Sequence, residues 1–274
     1  MGFQTERVAM RLTPKVLFLS HGGGPLPLLG DAAHADMLTL IEHIRQRIEK
    51  PQAIILVSAH WEESVATLTS GANPPLFYDY YGFPPESYEL TYPAPGNPML
   101  AEKIHASLQA AGIEASLDSA RGFDHGLFVP LKLLLPDADV PCVELSLLSS
   151  LDAAQHILLG RALAEHAGKD ALVVGSGFTF HNMHAFFASP PEQANTLNRA
   201  FDTWLTETLC SAELSEQQRE QRLIAWERAP GARFCHPREE HLLPLHVCYG
   251  AAGGPPIEAW SIEVIGKRTG FFLW

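Results

Sequence analysis

VLFLSH (16–21), read together with IILVSAH (54–60), decides the fold. Each stretch is a strongly apolar run that stops, after a serine, on a histidine. Such runs are expected of strands covered on both sides in a parallel sheet. Ligands of open α/β sheets collect outside the carboxyl ends of the strands. His21 and His60 are therefore expected to bring two imidazoles to that edge from neighbouring strands, as metal ligands or acid/base groups.

Between the two runs, Met37, Leu38, Ile41, Ile44 and Ile48 recur at spacings of three and four, which predicts a helix over 35–50 ended by Pro51. Strand, helix and strand make a right-handed βαβ unit. Further strands are expected at 65–70, 140–147, 171–176, 258–265 and 269–274, with helices at 129–135, 153–166 and 191–211. Asn97 and Pro98 read as N-cap and first residue of a helix closed by Gly112, and Ser215 with Gln218 as a capping box. Residues 73–98 are rich in proline and in Phe and Tyr, and so are expected to form an ordered aromatic loop. The alternation predicts one α/β domain over 1–274, with a central, mostly parallel mixed sheet flanked by helices.

The chain has 274 residues and a formal net charge of -12, with no basic run, which argues against a nucleic-acid partner. No apolar stretch has the ~20 residues of a membrane span. Residues 1–14 lack the apolar core of a signal peptide. A cytoplasmic protein is expected. Cys142, Cys210, Cys235 and Cys248 form no CxxC pair and read as buried free thiols. Of the 13 histidines, His34, His43, His105, His156 and His166 lie in polar helical surroundings and are expected at the surface; His184 is expected exposed or structural.

Gly22, Gly23 and Gly24 follow His21, but neither dinucleotide nor P-loop spacing is present, so the glycines read as a sharp turn beside His21. A catalytic metal needs a third ligand. CHPREEHL (235–242) offers His241 or, completing a two-His, one-carboxylate triad, Glu240; spacing does not choose between them. Two more histidines sit in distinctive turns: His125 beside Asp124, a candidate to orient it, and His181 after the Gly175-Ser176-Gly177 break.

LFLSHGGGP (17–25), SAHW (58–61), YGFPPESYELTYPAPGNP (81–98), RGFDHGLFVPL (121–131), the GSG…HN stretch (175–182) and PREEHLLPL (237–245) together resemble the class III extradiol ring-cleavage dioxygenases, on the 4,5-DOPA dioxygenase branch. The resemblance implies metal ligands His21, His60 and His241, with His181 a potential fourth, and acid/base roles for His125 and His181. It implies Fe(II), with Zn(II) able to occupy the same site, and as substrates a catechol and O2. The product is then a muconic semialdehyde. Three neutral imidazoles would leave the charge of a divalent ion for a bound catecholate to neutralise, and a homodimer is expected from the family. Residues 78–92 would wall the pocket, while Glu144 receives no role. Two alternatives use the same histidines: a zinc hydrolase, and a non-enzymatic metal-binding protein like the Memo-type signalling proteins.

Overall fold

The computed structural model describes residues 11–187 and 192–274. Residues 1–10, most of the segment read for a signal peptide, and Pro191, the expected start of one helix, lie outside the described residues. In chain order the elements are β1 (Val16–Ser20), α1 (Ala35–Arg47), β2 (Ile54–Glu63), β3 (Ala66–Thr69), α2 (Pro98–Ala110), β4 (Ala115–Asp118), α3 (His125–Leu134), β5 (Cys142–Leu148), α4 (Ala153–Leu163) and β6 (Leu172–Gly177). Then come α5 (Met183–Phe187), α6 (Glu192–Cys210), α7 (Glu216–Ile224), α8 (Ala232–Cys235), α9 (Leu243–Ala252), β7 (Glu258–Val264) and β8 (Lys267–Leu273).

Among the described residues, eight strands join one sheet in the order β4-β3-β5-β2-β6-β1-β8-β7. The four central strands run parallel, and β3 and β8 join them antiparallel. The sheet is therefore mixed and parallel at its centre, and β1 and β2 are buried along their apolar runs. Two local readings need correction. β1 and β2 are not neighbours, because β6 lies between them, with Ser20 opposite Gly177 and Ser58 opposite Ser176. β2 also runs past Ser58 to Glu63: its pairing with β5 breaks register after Val57 and resumes at Glu62, so His60 sits inside an irregular strand segment.

The glycines of β6 explain how His241 reaches this edge. A Cβ on Gly177 would lie 2.3 Å from the His241 carbonyl oxygen, and one on Gly175 2.6 Å from that of Pro244. Only glycine lets the approach to α9 lie this close. The caps fall where expected, with Asn97 accepting from the Leu100 N–H and Ser215 with Gln218 closing a full capping box. α3, however, starts at His125 rather than 129.

Several histidines expected at the surface are buried: His34, His156 and His166. His43 and His184 are exposed. Polar partners explain the difference. His156 donates from Nδ1 to the Asp152 carbonyl at 2.7 Å and accepts the Leu148 N–H at 3.1 Å. Of the four thiols only Cys210 is exposed, against expectation.

Burial pushes His156 down to about 4 and His236 down to about 3. Their folded values lie below the unfolded one, so the unfolded chain takes up protons first as pH falls. Stability is full above about pH 6.5 and declines below it, each histidine contributing up to about 1.4 kcal/mol per pH unit until its folded value is reached. Urea midpoints are expected to be flat from neutral pH upward and to fall steeply between about pH 6.5 and 4. A midpoint unchanged over that acid range would show that these rings are not held neutral.

Candidate metal centre and active site

Five imidazoles converge at the carboxyl edge of the central strands. His21 follows β1 directly, its N–H donating to the Gly177 carbonyl at 2.9 Å. His60 comes from the irregular end of β2, His125 is the first residue of α3, His181 follows β6, and His241 precedes α9. The ring centroids of His21, His60 and His241 form a near-equilateral triangle with sides of 4.8, 4.8 and 5.3 Å. His125 lies 3.8 Å from His60 and 5.8 Å from His21, and His181 stacks on His241 at 3.4 Å. Ligand-type atoms of His21, His60 and His125 lie within 4.8 Å of one another, as do those of His181, Glu240 and His241.

Four of the five rings hydrogen-bond a protein group through Nδ1, and His60 Nδ1 faces Asp79 without a hydrogen bond. The Nδ1 of His21 lies 3.0 Å from Ser176 Oγ, whose own proton goes to the Gly126 carbonyl, so the imidazole is the donor. His125 Nδ1 donates to Asp79 Oδ1 at 2.8 Å, and Oδ2 lies 3.7 Å from His60 Nδ1. His181 and His241 both donate from Nδ1 to Glu240 Oε1, at 3.1 and 3.0 Å. Second partners of this kind fix the tautomer and aim the other nitrogen as a lone pair.

The donor set fits a cation. His21 Nε2 and His60 Nε2 are 3.1 Å apart, and with Nδ1 the protonated nitrogen of His21, its Nε2 lone pair faces His60. Two imidazoles bound to one ion at ~2.0–2.1 Å in tetrahedral geometry have nitrogens about 3.3 Å apart. A cation between them would be bound by both nitrogens, with the His60 proton on Nδ1 toward Asp79. Burial, reinforced by the neighbouring imidazoles, holds His21 and His241 well below the usual histidine range. His60 is lowered too, chiefly by burial, with Asp79 opposing the shift. Neutral imidazole is the ligating form.

Two carboxylates temper the expected charge excess. Burial pushes Asp79 upward, but its hydrogen bond with His125 prevails and holds it below the usual carboxylate range. The same balance, with His181 as partner, holds Glu240 low. Both therefore carry negative charge just behind the rings, and catecholate is not the only neutralising group. Arg238 contacts Glu240 at 3.3 Å but is itself clamped to Glu62 at 2.5 and 2.6 Å.

Sequence reasoning missed Asp79 and misassigned Asp124. Asp124 is not the hydrogen-bond partner of the His125 ring; its carboxylate accepts from Ser58 Oγ at 2.8 Å and Arg121 at 3.3 Å. Asp79 takes the orienting role from the aromatic loop, also accepting the His125 backbone N–H at 3.0 Å. Its signal was available: Asp79 is the only charged residue between Gly71 and Pro85. The loop itself is ordered as expected. Tyr78 and Tyr80 donate their hydroxyls to the Leu90 and Ser87 carbonyls, and the Tyr80 ring lies 5.6 Å from His125.

Residues 15–272 match the model of the LigB family, described as the catalytic LigB subunit of aromatic ring-opening dioxygenase. The chain belongs to this family and is a class III extradiol ring-cleavage dioxygenase. It is 42% identical to Dioxygenase tasH of Hapsidospora irregularis over 97% of this chain and 86% of that one. It is 38% identical to a 4,5-DOPA dioxygenase extradiol of Portulaca grandiflora (86% and 85% covered) and 34% identical to one of Escherichia coli K12 (93% and 90%). A crystal structure of an uncharacterised E. coli K12 protein superposes with a TM-score of 0.70 at 30% identity, covering 94% of this chain and 98% of the other. Among the described residues, no helix is long and apolar enough to cross a membrane.

Proposed function

We propose that this enzyme opens the ring of a catechol with O2 beside the diol, giving a muconic semialdehyde, and that it does so with Fe(II) held by His21, His60 and His241. The observation that carries this reading is the triangle of three rings with sides of 4.8, 4.8 and 5.3 Å, with Nδ1 of His21 and His241 hydrogen-bonded to protein groups and that of His60 3.7 Å from Asp79. Fe(II) bound there would acidify the catechol as a Lewis acid and bring it together with O2. Zinc fits the same three nitrogens, so iron is assigned from the family's redox chemistry rather than from the donor set.

His125 and His181 are the acid/base pair. With Nδ1–H on Asp79, His125 presents its Nε2 lone pair to the pocket and can take a catechol hydroxyl proton. The imidazolium so formed lies against the Asp79 carboxylate, which keeps its hydrogen bond to Nδ1–H. His181 is poised likewise by Glu240, and its stack on His241 makes it the candidate fourth ligand. A histidine that has taken a proton can return it to the oxygen released when the ring opens. Tyr80 and the loop around it wall the pocket against water.

The reading is tested by reconstituting the protein anaerobically with Fe(II) or Zn(II), admitting oxygen, and following uptake with catechol, caffeate and DOPA. Iron-dependent uptake with a yellow product is expected, and none with zinc. Zinc-dependent hydrolysis of an added ester substrate without oxygen uptake would favour the hydrolase alternative, and metal binding with no turnover the Memo-like one.

A further inference from the structure

Glu144 is the one charged residue of β5, and it is wholly buried. It stands opposite Leu56 of β2, two residues before Ser58. Oε2 accepts the Asp124 backbone N–H at 3.3 Å, and Oε1 has no hydrogen-bond partner. An ionised carboxylate with a bare oxygen inside the sheet is strongly unfavourable, whereas a carboxylic acid needs an acceptor instead. An acceptor belongs to the residue that Oε2 already contacts: Asp124, whose backbone N–H it accepts, also carries a buried carboxylate. Burial, reinforced by the neighbouring Asp124 carboxylate, pushes Glu144 well above the usual range, with Arg121 opposing.

Asp124 is where this acid connects to the site. It is the N-cap of α3, whose first residue is His125, and its Oδ1 accepts from Ser58 Oγ at 2.8 Å. Ser58 Oγ in turn accepts the His60 backbone N–H at 3.1 Å. One buried carboxylate thus ties the backbone that carries a proposed metal ligand to the helix that carries a proposed acid/base group. Its remaining contact, the Arg121 guanidinium at 3.3 Å, is long.

We propose that Glu144 is a positioning residue that works as a neutral acid: its proton, donated to Asp124, locks the Asp124–Ser58 bridge and so fixes His60 and His125 relative to each other. The assignment of what those two histidines do rests on the function proposed above. The bridge itself does not.

Glu144→Gln and Glu144→Leu separate the roles. Glutamine has the same shape, can accept the Asp124 N–H and can donate to the Asp124 carboxylate; leucine fills the space but does neither. Glu144→Gln is expected to keep kcat and zinc affinity within about threefold of wild type. Glu144→Leu is expected to lose at least about tenfold in kcat with KM little changed, and about tenfold in zinc affinity. A glutamine variant as impaired as the leucine variant would overturn the proposal, as would a leucine variant with wild-type kcat and zinc affinity. If Glu144→Leu does not fold, the infrared spectrum decides. Wild type at neutral pH is expected to show the carbonyl band of a protonated carboxyl group that Glu144→Gln lacks, and its absence from wild type would refute the neutral acid. Neither zinc affinity nor that band depends on ring cleavage. If wild type opens no ring, the functional proposal fails while this one is still decided.

Discussion

Replacing His241 by alanine is expected to leave a folded protein that neither retains iron through dialysis nor turns over a catechol above about 1% of the wild-type rate. Removing one of three ligands leaves two, below the number on which catalytic metal sites are built. Glu240→Gln is the informative companion. The Glu240 carboxylate already accepts from His181 and His241, so its oxygens lie behind the rings. Loss of such an outer partner typically costs about 10–100-fold in metal affinity or activity, less than loss of a ligand. Metal content after dialysis, measured on both variants, orders them. Full iron retention by His241→Ala with loss in Glu240→Gln would make Glu240 the ligand and reverse the assignment.

Asp79→Asn is expected to lower kcat by about 10²–10⁴ with a much smaller change in KM. The carboxylate accepts both the ring and the backbone N–H of His125 and lies 3.7 Å from His60 Nδ1. An amide in its place can present NH2 to the imidazole and hold the tautomer in which Nε2 carries the proton and cannot accept one. It also removes the negative charge against which the imidazolium lies. Steady-state kinetics at saturating metal checks this, and a kcat within threefold of wild type would mean that His125 does not act through Nε2.

The architecture was legible because the buried strands wrote themselves as unbroken apolar runs, and because Asn97, Ser215 and Gln218 carried their caps locally. The order of the strands was not, since the insertion of β6 between β1 and β2 is a long-range choice. All five histidines of the pocket could be picked out: strand ends and glycine turns marked His21, His60, His125 and His181, and family resemblance singled out His241. What holds them was harder to see. Sequence adjacency favoured Asp124 for His125, while the actual partner, Asp79, lies 46 residues away. The polar surroundings of His34 and His156 suggested exposure, but those rings are buried because their nitrogens are satisfied by Gly23, Asp31, Leu148 and Asp152. A polar neighbourhood in sequence does not distinguish a solvated ring from one that is buried and paired.

The most direct test of the account is the mass of the product formed by the Fe(II)-loaded enzyme from a catechol in air. A ring-opened product equal in composition to the catechol plus two oxygen atoms, with one O2 consumed per substrate, is the expected result. A quinone, which keeps the ring and loses two hydrogens, or an unchanged catechol across the panel, would contradict it.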